Sequence, residues 1–199
     1  MVLLTIAALI GGIAYGVLGF DFSLVTFLTS HTDLVLYILM FCVGISIGTQ
    51  KGVLQRLRQN QLAIVLVPTG VIVASLLGGV ICGWITRMPL SHSTAITSGM
   101  GWYSLAGAVI GESCGPELGS IAFLSNLMRE IFTFMSIPFL AAHFNPYACI
   151  ASAGATSEDT TLPMILRYSN EETVVVSVLN GIICSFFVPI LLSLCFRLP

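Results

Sequence analysis

Gly154-Ala155-Thr156-Ser157-Glu158-Asp159-Thr160-Thr161-Leu162-Pro163 lies in the middle of an apolar run, residues 147–166. The run is about as long as one bilayer crossing. Within it stand two adjacent carboxylates, four hydroxyl side chains, a glycine and a proline. In hydrocarbon every backbone N–H and C=O must find a partner, so such a break survives only when packed in protein or lining a wet cavity. Ionisable side chains at that depth are costly, and where they persist they are usually functional. One reading is a hairpin loop that dips to the surface. The reading adopted is two half-helices meeting at a polar site, which is transporter architecture.

The rest of the chain supports a bilayer setting. Of its 199 residues 56% are hydrophobic and 8% charged, and mean hydropathy is +1.01. A soluble domain carries about a quarter charged residues, so this composition cannot build a water-facing surface. An all-α polytopic membrane protein is expected, almost wholly within the bilayer. The net charge of −2 singles out no partner, and no segment forms a nucleic-acid patch. Six cysteines (Cys42, Cys82, Cys114, Cys149, Cys184 and Cys195) are scattered without a CxxC pair. They read as small packing residues, and no metal, disulfide or other cofactor is expected. The N-terminus lacks the basic region and cleavage site of a signal peptide, so residues 2–18 read as a retained first helix.

Seven candidate spans follow: 2–18, 33–48, 62–85, 94–110, 118–142, the broken run 147–166, and 173–196. They make residues 1–199 a single transmembrane domain, with the fourth and sixth spans read as broken helices. Lys51, Arg56 and Arg58 place the 49–61 loop in the cytoplasm by the positive-inside rule. Seven crossings then leave the C-terminus outside, and a re-entrant sixth span would reverse the last helix. Small-xxx-small pairs recur at Gly12/Gly16, Gly44/Gly48 and Gly79/Gly83, and read as close helix packing.

The fourth span begins Ser98-Gly99-Met100-Gly101-Trp102-Tyr103-Ser104-Leu105-Ala106-Gly107. Its three glycines and two serines weaken a helix there. Residues 98–107 and 154–163 therefore read as the paired interrupted segments whose half-helix ends face a substrate. The alternative is a plain helix, with Trp102 and Tyr103 in an interfacial aromatic belt. Gly111 to Glu117 reads as a turn with solvated carboxylates.

In the fifth span Asn126, Arg129, Glu130 and Thr133 interrupt an apolar helix. Glu130 stands roughly 18 Å along that span, near mid-membrane. Asn126, Glu130 and Thr133, spaced i, i+4, i+7, share one face, while Arg129 lies about 100° round the helix. Arg129 and Glu130 are therefore expected to have different partners. The structural alternative is an Arg–carboxylate ion pair between helices, and Arg129 is read that way. Glu130 and Asp159 make a carboxylate pair from two spans. Such a pair neutralises a cation and takes up a proton when the cation leaves.

At these residues the chain resembles the LysO-type lysine exporter family of bacteria. The resemblance rests on 98–107 with 112–119, on the Arg129-Glu130 helix and on 154–163, with a weaker match at 37–46. It implies export of L-lysine across the bacterial inner membrane against protons, and distant kinship with broken-helix cation/proton antiporters. It also implies that Glu130 and Asp159 are the intramembrane acids, while Glu158 stands where the motif fixes no residue. Asn126, Trp102, Tyr103, Ser104, Thr156, Ser157 and Thr160 complete the expected substrate and proton path. Long family members carry an additional N-terminal unit that this chain lacks, so a small three-span partner subunit or a homodimer is expected. Competing readings are a sodium-coupled symporter of a small solute, a subunit inactive alone, and an intramembrane enzyme using Glu130 and Asp159. No nucleophile–base pair supports the last.

Overall fold

A continuous transmembrane helix needs about 20 apolar residues in one unbroken hydrogen-bonded run, and few elements here provide one. The structure, a computed structural model, describes residues 11–12, 14–18, 22–31, 38, 41, 45, 61–169 and 171–198. Most of the expected first and second spans and of the 37–46 match, and residues 49–60 of the basic loop, lie outside the described residues. Those described are all α, with eight α-helices, one short 3-10 helix and no strand.

The chain divides into two units, Met1–Gln50 and Lys51–Pro199. In the first, α1 (Ser23–Ser30) ends at His31. The His31 ring stacks on Phe27 at 4.5 Å, with Nδ1 3.0 Å from the Phe27 carbonyl.

The second unit opens with α2 (Gln61–Thr86), followed by α3 (Leu90–Ser98) and α4 (Tyr103–Cys114). The long α5 (Pro116–His143) comes next, then α6 (Pro146–Ala153), the 3-10 helix Gly154–Glu158, α7 (Leu162–Tyr168) and α8 (Glu171–Cys195). Helix α6 starts cleanly because Asn145 caps it, accepting from Ala148 N at 2.9 Å, with Pro146 in the first turn. Gly115, at φ +99, makes the tight corner from α4 into α5. Helix α4 runs through Cys114, so the expected turn over Gly111 to Glu117 shrinks to that one residue.

Close packing depends on missing side chains. A Cβ on Gly79 would lie 2.4 Å from Thr97 Oγ1, and one on Gly83 2.5 Å from Ser93 Oγ. The Gly79/Gly83 pair therefore seats α2 on α3 of the same chain. Between α4 and α5 a Cβ on Gly119 would come 2.5 Å from Gly111 Cα. The apolar core gathers Ile64 of α2, Ile137 of α5, Cys149, Ile150 and Ala153 of α6, Ile165 of α7, and Val176 and Leu179 of α8.

The seven-span reading is overturned. Two of the eight helices, over Leu62–Thr86 and Thr173–Cys195, are long and apolar enough to cross a membrane. The fourth expected span is two helices of 9 and 12 residues. The sixth is three pieces of 8, 5 and 7 residues. The fifth is one helix of 28 residues, with Asn126, Glu130 and Thr133 buried along it. The external C-terminus was reasoned from seven crossings and loses that support.

Candidate functional site

The two interruptions, 99–102 and 154–161, cross each other. Ala155 N donates to the Met100 carbonyl at 3.0 Å, so backbone meets backbone where both helices have stopped. This contact requires Gly154: its φ is +62, and a Cβ there would stand 2.5 Å from the Met100 oxygen. Met100 itself is left-handed, at φ 49, and fully buried. A non-glycine residue pays about 1–2 kcal/mol for that conformation, so the surrounding packing must hold it.

Asn126 supplies much of that hold. From α5 its Oδ1 accepts from Gly101 N at 2.9 Å, and its Nδ2 donates to the carbonyls of Ile96 and Ala122, both at 2.9 Å. One amide thereby satisfies a donor and an acceptor released where the helix breaks, as a buried break demands. Thr133, two turns on, donates to the Ser152 carbonyl at 3.0 Å and ties α5 to α6.

Glu130 lies between these two anchors and is 3% exposed. The Thr160 side chain approaches its carboxylate, and Asp159 is close enough to act on its charge. Asp159 is exposed, and its Oδ1 accepts from the Thr160 N–H and, at 3.2 Å, from Thr160 Oγ1. Thr160 thus sits between the two acids with a single hydroxyl proton. The structure brings Glu130, Asp159 and Thr160 together.

Glu158 turns elsewhere. It faces α8, where Ser185 Oγ donates to its Oε1 at 2.9 Å. Thr156 and Ser157 are buried and committed to backbone. Thr156 donates to the Ala153 carbonyl at 3.0 Å, and Ser157 Oγ lies 2.8 Å from the carbonyls of Gly154 and Ser177. The Tyr103 ring packs edge-on against Phe123 of α5, centroids 5.2 Å apart. Phe123 stands two turns before Glu130, about 10 Å along the helix. Trp102, Tyr103 and Ser104 are half-buried.

Arg129 and Glu130 have different surroundings, as their angular separation requires. Arg129 Nη1 donates to Ser75 Oγ of α2 at 3.1 Å, and its guanidinium covers Gly154. Among the described residues no carboxylate pairs with it. Two cavities reach it, one of about 300 Å³ shared with α2 and α3, the other of about 540 Å³ beside Thr133 and Ser152.

The sequence reading passed over α8. Ser177, Asn180, Gly181 and Ser185 form a polar and small stripe at i, i+3, i+4 and i+8 inside an apolar helix. Asn180 Nδ2 donates to the Gly154 carbonyl and to Ser157 Oγ, both at 2.9 Å. Ser177 Oγ donates to the Ser157 carbonyl at 2.7 Å. A Cβ on Gly181 would lie 2.7 Å from Glu158 N. That periodic stripe was the signal available.

The family model described as Lysine exporter LysO matches residues 6–196. An Escherichia coli (strain K12) protein, described as Lysine exporter LysO, is 36% identical over 182 residues. That alignment covers 92% of this chain and 60% of the relative, so the chain spans less than two-thirds of that protein's length. A Haemophilus influenzae protein, provisionally described as a lysine exporter, is 36% identical over 160 residues, 79% of this chain and 80% of its own. No solved structure matches the chain. The family is described as an exporter, not an enzyme, and its model runs through both interruptions and both acids. On that match the chain belongs to the lysine exporter LysO family.

Proposed function

We propose that this chain exports L-lysine across the bacterial inner membrane in exchange for protons, with Glu130 and Asp159 holding cation and proton in turn. The observation that carries this reading is the buried Glu130 carboxylate gathered with Thr160 and Asp159 beside the crossing of two interrupted segments. A buried carboxylate without a fixed cation needs either a proton or a mobile cation to neutralise it. The Thr160 hydroxyl has one proton for two acids, so a proton on either acid supplies the missing donor. When an ammonium group arrives it donates to the carboxylates and the acid proton leaves. The charge inside the site is then the same before and after exchange.

Asn126, Thr156 and Ser157 hold the frame in this reading, and Trp102, Tyr103 and Ser104 flank the path to it. An ammonium over an aromatic face gains about 0.5–2 kcal/mol, most when desolvated. Membrane residence is supported by the family and by the two long apolar helices. A second copy of the chain, or a small membrane subunit, is proposed to complete the working unit.

Proteoliposomes containing the full chain test the exchange. Lysine added on one side should drive proton movement in the opposite direction, and an imposed pH gradient should drive lysine flux without sodium. Lysine flux that ignores the pH gradient and requires sodium would replace this reading with symport.

A further inference from the structure

The 300 Å³ cavity beside Arg129 has no part in holding a cation. Its polar lining is Ser75 of α2, Thr97 of α3, and Ser125, Asn126 and Arg129 of α5. No acid lines it, and the rest of its wall is apolar apart from Gly78 and Cys82. Arg129 therefore gives the cavity a net positive charge. Among the described residues one of the guanidinium's five N–H donors is committed, to Ser75 Oγ at 3.1 Å. Having accepted that bond, Ser75 keeps its own proton to donate. Ser125 is one helical turn before Arg129 and shares its face. Three donor side chains thus converge on one small space, which lies at the lower end of the range for ligand pockets.

Arg129 is half-buried; a guanidinium withdrawn from water without a counter-ion is disfavoured, and its planar fork matches a carboxylate better than any other common anion except phosphate. We propose that Arg129, with Ser75 and Ser125, holds the α-carboxylate of the exported amino acid. The inference rests on the reading that the chain exports an amino acid. It adds that Glu130 and Asp159 recognise the cationic end while Arg129, about 100° round the same helix, recognises the anionic end. The cargo class is then an α-amino acid, and a bare diamine is excluded.

Binding to the full chain in nanodiscs tests this with L-lysine and its decarboxylated analogue cadaverine. Wild type should bind lysine at least about tenfold more tightly than cadaverine, because the diamine leaves the Arg129 donors unpaired. Arg129→Gln should weaken lysine to the cadaverine level and leave cadaverine binding unchanged. Arg129→Lys should keep part of the preference, since it retains charge without the fork. Equal loss for both ligands, or no preference in wild type, overturns the inference and makes Arg129 a packing residue. If Arg129→Gln fails to fold, Ser75→Ala decides: selective weakening of lysine supports the site, and equal weakening overturns it. Should lysine not bind while another amino acid does, with Arg129-dependent preference over its decarboxylated amine, the lysine reading fails and the carboxylate site stands. Absence of binding by every amino acid tested overturns both.

Discussion

Asn126 and Glu130 are one helical turn apart on the same face, yet their substitutions should fail in different ways. Asn126 makes three hydrogen bonds to backbone groups, two of them, Gly101 N–H and the Ile96 carbonyl, released at the break. Asn126→Ala leaves the Gly101 N–H and the Ile96 carbonyl buried and unpaired, at about 1–3 kcal/mol each. Its expected outcome is a lower melting temperature and reduced yield, read by thermal-shift measurements on purified protein. Glu130→Gln and Asp159→Asn keep side-chain size and hydrogen-bonding capacity and remove only the charge. Each should abolish lysine export while leaving membrane insertion and melting temperature near wild type. A variant that still protects lysine-overloaded cells as well as wild type does would make that residue structural.

At the scale of elements, the site depends on the grip of α8 on the 3-10 helix Gly154–Glu158. Asn180 and Ser177 hold that helix through four hydrogen bonds to Gly154 and Ser157, and Gly181 lets its backbone come close. Gly181→Ala would place a Cβ 2.5 Å from Glu158 Cβ and 2.7 Å from its backbone nitrogen, so the elements must separate. Export should fall sharply, with a stability loss of about 1–3 kcal/mol, the range for overpacking a tight core. Gly70→Ala in α2 is the matched control, because nothing lies within 4 Å of its added Cβ. There the gain in helix propensity, up to about 1 kcal/mol, leaves stability equal or slightly raised. Comparable damage from both substitutions would show that α8 has no special grip.

At the scale of the whole molecule, α2 presents a long apolar face: Leu62, Leu66, Leu77, Trp84 and Ile85 are each more than half exposed. An apolar surface of that extent needs lipid or another protein against it. The chain should therefore stay in the membrane pellet through an alkaline carbonate wash, and release from it would contradict integral insertion. Chemical crosslinking in native membranes should capture a second copy or a small membrane subunit, and the isolated monomer should transport poorly. Full export from a reconstituted monomer would sink the proposal of a partner.

Composition and the placement of polar residues were enough, without coordinates, to establish a helical chain with breaks near 98–107 and 154–163 and ionisable residues in the fifth apolar run. Those features are local: a run of glycines, or hydroxyl and acidic residues within an apolar stretch, conflicts with continuous helix wherever it occurs. The family resemblance was also legible, because it rests on contiguous residues. The number of spans was not legible. Hydropathy sums over a window and does not register that a helix stops at Gly99 or Gly154, so interrupted runs were counted as crossings. Tertiary structure alone decided that the two breaks cross through Met100 and Ala155, that Asn126 serves the backbone, and that Thr160 stands between Asp159 and Glu130. It also placed Arg129 on a cavity and brought Asn180 to Gly154. Each of these contacts joins residues from different elements, and one helix's face says where a side chain points but not what another element brings to meet it.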